Sequence, residues 1–60
     1  MRRWLNVAHC QFDLDFSGSA EQIIGKMVYA DAEGCTILQD GTGVEHSYTW
    51  GVIQHISLAP

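Results

Sequence analysis

The sequence predicts an all-β domain: a small, five-stranded antiparallel barrel, strongly bent on itself. Three observations predict it. Residues 10–16 (CQFDLDF) and 44–50 (VEHSYTW) alternate strictly between two side-chain types, which is the period of a half-buried antiparallel strand. Glycines punctuate the chain and its one proline is the final residue, Pro60, so the connections are short and no strand is interrupted. Sixty residues form one domain, 1–60, and five strands in so short a chain suit a bent barrel better than a two-sheet sandwich.

The elements follow in order. Residues 2–8 (RRWLNVA) put Trp4, Leu5 and Ala8 roughly on one side and predict a short N-terminal helical turn, stable only if docked. In 10–16, Cys10, Phe12, Leu14 and Phe16 face one way, and Gln11, Asp13 and Asp15 the other. SGSA (17–20) is a turn cluster. EQIIGKMVYADA (21–32) is rich in β-formers, with Gly25 marking a bend or bulge. EG (33–34) reads as the next turn, CTILQD (35–40) as a strand, and GTG (41–43) as a hairpin connection using positive φ. In 44–50, Val44, His46, Tyr48 and Trp50 share a face opposite Glu45, Ser47 and Thr49. After Gly51, VIQHISL (52–58) is the last strand. Its apolar edge needs a partner, because an open apolar edge is an aggregation hazard.

Composition narrows the function. The formal net charge is −4 and the pI about 4.9. The only lysine and arginines are Arg2, Arg3 and Lys26. General nucleic-acid binders carry a basic footprint, so any RNA contact here has to be local. The 47% hydrophobic content excludes a disordered chain. In a domain that buries only about 60% of its unfolded surface, that content favours self-association. No run approaches the roughly 20 apolar residues of a membrane span, and MRRWLNVAHC lacks the apolar core of a signal peptide. Cys10 and Cys35 read as buried thiols of a reducing compartment. The expectation is a cytoplasmic protein with no membrane partner.

No catalytic constellation stands out. His9, Cys10, Cys35, His46 and His55 lack the paired spacing of a metal site. There is no nucleophile elbow and no phosphate-cradling glycine loop. Asp13 and Asp15 read as a solvated edge. We therefore expect no enzyme activity, no metal and no cofactor. Arg2 and Arg3 form either a phosphate contact or a solvated terminus. Trp50 either stacks on a base, worth about 1–3 kcal/mol, or serves as a core or interface aromatic. Asp31 and Glu33 either organise a ligand-facing loop or are solvated turn acids.

Two segments resemble the Sm-like family (Sm, LSm and Hfq proteins). GKMVYADAEGCTIL (25–38) is similar to its first motif, with Gly25, Met27, Asp31, Ile37 and Leu38 in the matching places. YTWGVIQHISLAP (48–60) is similar to the second, with Gly51 in place of the family's turn glycine. The resemblance implies an Sm-like (SH3-like) barrel, and a homo-oligomeric ring of about five to seven copies in which the fourth strand of one subunit pairs with the fifth of the next. It implies an RNA site at Asp31, Glu33, Cys35, Trp50 and Gly51, to which Arg2 and Arg3 add charge, and a subunit interface at Tyr48, Val52, Ile53 and Ile56. The chain departs from the family at the RNA loop. Glu33 or Gly34 stands where an aromatic or histidine is usual, Cys35 where asparagine is usual, and Trp50 where a basic residue is usual. The segment from Gly18 to Gly25 reads as a longer connection than usual.

Two functions follow. The first is a ring that holds single-stranded RNA at its pore or face. The alternative is an acidic small-barrel module that docks on a basic surface of a partner protein. For it, the negative charge assists association instead of opposing it.

Overall fold

The computed structural model describes residues 2–60 of the chain. A single 3-10 turn at Arg2–Trp4 precedes five strands: β1 (Cys10–Phe16), β2 (Ser19–Ala30), β3 (Gly34–Gln39), β4 (Glu45–Thr49) and β5 (Ile53–Leu58). All neighbours are antiparallel. They form one sheet in the order β4-β3-β2-β1-β5.

That order forces a strong curl. In a flat sheet the outer strands of five would lie about 19 Å apart. Yet β4 and β5 are joined by Trp50–Val52 alone, a link that reaches at most about 14 Å. The sheet therefore folds over until its edges approach. Phe16 on β1 and Tyr48 on β4 bring their ring centroids to 5.6 Å, although β2 and β3 lie between them in the sheet order. Among the described residues β4 and β5 are not paired with each other; each is an edge.

The concave side is the core. Cys10, Phe12 and Leu14 from β1 are buried with Ile23 and Met27 from β2, Cys35 and Ile37 from β3, and Ile56 from β5. The alternation of 10–16 is thus realised, with Phe16 emerging at the strand end.

Several details differ from the sequence reading. The N-terminal helix is only the 3-10 turn: Asn6 takes a positive φ of 61°, which ends any helix. Its N–H donates instead to the Met27 carbonyl (2.8 Å), and Leu5 bridges to Met27. Trp4 packs on the core while Leu5 and Ala8 are exposed. The segment after Gly18 is not a loop. Ser17 and Gly18, both at positive φ, form a two-residue turn, and β2 begins at once with Ser19 opposite Phe16. Gly25 is not the bulge. It lies where β2 passes the Leu38 carbonyl, and the register shift comes later, between Met27 and Tyr29. Gly34 is not a turn residue but the first of β3, passing close to the Tyr48 carbonyl. Gly41 and Gly43 take the expected positive φ.

Candidate functional site

Asp31 builds the loop that ends β2. Its Oδ1 accepts hydrogen bonds from the Glu33 N–H (2.9 Å) and the Gly34 N–H (3.0 Å). Its own N–H donates to the Gly34 carbonyl (2.9 Å). A short carboxylate side chain thereby substitutes for strand partners and turns the chain. Oδ2 accepts from the Tyr29 hydroxyl (3.0 Å). The two backbone donors, then Tyr29, hold the Asp31 carboxyl below its ordinary range. The same bond pushes the Tyr29 phenol up.

The β4–β5 connection is bonded to this loop. The Trp50 indole N–H donates to the Asp31 carbonyl (2.7 Å), and the Trp50 backbone N–H to the Glu33 carbonyl (3.3 Å). The half-buried ring packs against the core. Beside the loop runs an open groove of about 330 Å³, lined by Tyr29, Asp31, Glu33, Thr36, Ser47, Tyr48 and Thr49, with Gly34 and Cys35 beneath. Thr36 and Ser47 hydrogen-bond across its floor (2.9 Å). Among the described residues the one ion pair is His9 with Asp40 (2.9 Å), so no described cation neutralises Asp31 or Glu33. The groove is anionic and hydroxyl-rich, with the exposed Tyr29 ring at its side; Tyr48 turns its own ring the other way, towards Phe16 and the core.

The sequence-predicted residues divide into two groups. Asp31, Glu33, Cys35, Trp50 and Gly51 come together at this end of the sheet. Cys35 enters the core, where burial pushes its thiol up. Gly51 has open space around it. Arg3 lies elsewhere. Its guanidinium sits over the Trp4 ring, 5.7 Å from the centroid, and it lines a separate depression along β5 with Trp4, Ile53, Gln54, His55 and Ile56. The Arg2 side chain lies outside the described residues. Of the predicted interface residues, Tyr48, Val52 and Ile53 are half-buried, and Ile56 is buried in the chain's own core. A neighbouring copy would reach Ile56 only through its backbone.

Sequence reasoning missed Tyr29 as a wall of the groove. Strict alternation through Ile23, Gly25 and Met27 points Tyr29 inward. The register shift at Val28 turns it outward, opposite Thr36 and 56% exposed. No sequence signal locates such a shift.

Among the described residues no group of three His, Cys, Asp or Glu is placed to hold a metal ion, and no helix is long and apolar enough to cross a membrane. Comparison with known family profiles, with curated proteins and with solved structures gives no match.

Proposed function

We propose that the chain is an Sm-like subunit that assembles into a homo-oligomeric ring in the cytoplasm and holds single-stranded RNA. One observation carries the assembly. β4 and β5 are consecutive in sequence yet form the two opposite edges of one curled sheet. Joining two copies edge to like edge satisfies one edge and leaves the other open. Joining β4 of one copy to β5 of the next satisfies both, and a head-to-tail contact of this kind closes into a ring when its rotation allows. The curl of the sheet supports a barrel-like subunit.

RNA contact would be local. Trp50 at the β4–β5 connection supplies an indole for stacking, and Arg3 over Trp4 supplies a cation beside an aromatic ring. Repetition around a ring would strengthen each weak site through effective concentration. In a Trp4→Phe variant Trp50 is the sole tryptophan. Titration with U-rich and A-rich RNA at low and high salt should then quench its fluorescence saturably, with an affinity that falls as salt rises. A flat titration on an assembled ring would remove RNA from Trp50.

A second reading has its own support. Asp31 and Glu33 face open solvent without a described cation, which suits an acidic module that docks on a basic partner surface.

A further inference from the structure

The groove beside the Asp31 loop has a wall, Tyr29, that the proposed RNA contact at Trp50 does not use. Tyr29 is an exposed aromatic, yet its hydroxyl is tied to Asp31 Oδ2. Tyr29 is therefore more than half exposed and tethered, with a carboxylate at its hydroxyl end. Glu33 adds a second, exposed carboxylate, and Thr49 also lines the groove. The volume of about 330 Å³ is at the small end of ligand sites and fits one long side chain better than a cofactor.

We propose that this groove receives an arginine side chain of a basic segment in a partner protein. Guanidinium suits the site on three counts. It stacks flat on an aromatic face. Its N–H donors suit carboxylate oxygens: Asp31 Oδ2 accepts only from the Tyr29 hydroxyl and keeps a free lone pair, whereas Oδ1 is filled by the two backbone N–H groups, and the exposed Glu33 carboxylate stands beside it. Its alkyl stem can lie along the methyl groups of Thr36 and Thr49, which line the groove. A phosphate would meet two carboxylates instead, so the groove selects against nucleic acid. The proposal does not depend on ring formation, and an arginine groove and an RNA contact at Trp50 can each fail separately.

The test is an NMR titration of the full chain with a short arginine-rich peptide. A peptide with citrulline in place of arginine has the same shape without the charge and serves as the control; oligouridine is titrated in parallel. Saturable shifts should be confined to residues 29–36 and 47–49 and absent with the citrulline peptide. Glu33→Gln, an exposed change that leaves the Asp31 hydrogen bonds intact, should weaken the arginine peptide about threefold to fivefold. Tyr29→Leu should weaken it by a similar factor. Equal binding of the citrulline peptide, shifts located elsewhere, or indifference to both variants would overturn the proposal. Oligouridine saturating the same residues would overturn it in favour of an RNA groove.

Discussion

Asp31 and His9 show how single side chains fasten this short chain. Asp31 gathers two backbone N–H groups and a phenol on one carboxylate. His9, held at a positive φ of 57°, bonds through Nδ1 to Asp40 (2.9 Å), while its carbonyl accepts from the Ala59 N–H (3.0 Å). It thus links the start of β1, the β3–β4 turn and the segment after β5. Their pH dependences have opposite signs. The Asp31 carboxyl is lowered from 3.8, so its contribution is present above that value and is lost as pH falls through the lower, folded value. His9 is raised from 6.5, chiefly by its hydrogen bond to Asp40. Its contribution is complete below 6.5 and is lost as pH rises through the folded value. Urea midpoints should therefore be highest between about pH 4 and 6.5. NMR titration should find Asp31 below and His9 above their ordinary values, and Asp40→Asn should return His9 towards 6.5 and remove the alkaline loss. A His9 titration unmoved by Asp40→Asn would contradict the link.

The strands depend on two close backbone approaches. A Cβ on Gly25 would fall on the Leu38 carbonyl oxygen, and one on Gly34 on the Tyr48 carbonyl oxygen. Gly51 has nothing nearby. Gly25→Ala and Gly34→Ala should each cost about 1–3 kcal/mol through forced backbone shifts, whereas Gly51→Ala should stay within about 0.5 kcal/mol. Urea denaturation of the three variants checks this, and equal midpoints would refute it. These glycines also mark what the sequence could convey. The alternation of 10–16 identified which face of β1 is buried, since half-buried strands carry that pattern in their side chains. Gly41 and Gly43 signalled a turn because only special residues take positive φ cheaply. Gly25 and Gly34 looked like a bulge and a turn, because a close backbone approach leaves no local signature. Tyr29 escaped for a related reason. Its outward direction depends on a register shift fixed by how β2 meets β3. Asp31 was singled out in the sequence as a residue that could organise its loop, while the indole bond that fastens the loop to Trp50 is a long-range contact with no trace in either segment.

Among the described residues one sheet curls around eight buried hydrophobic side chains and leaves both of its edges unpaired. Large apolar residues remain exposed beside those edges: Val44 just before β4 at 49% and Leu58 at the end of β5 at 66%. A small domain that leaves such residues uncovered gains by covering them with its own copies. Leu58→Lys tests the proposed assembly apart from the fold of the subunit. Leu58 is already mostly exposed, so the change should alter subunit stability by no more than about 0.5 kcal/mol while placing a charge in the proposed contact. The measurement to make is molar mass by light scattering across micromolar concentrations, for the natural chain and for Leu58→Lys. The ring predicts one species of about five to seven copies, shifted to smaller species in the variant with its β-sheet circular dichroism unchanged. A stable monomer of the natural chain over the same range would contradict the ring and leave the free edges of β4 and β5 without their partner.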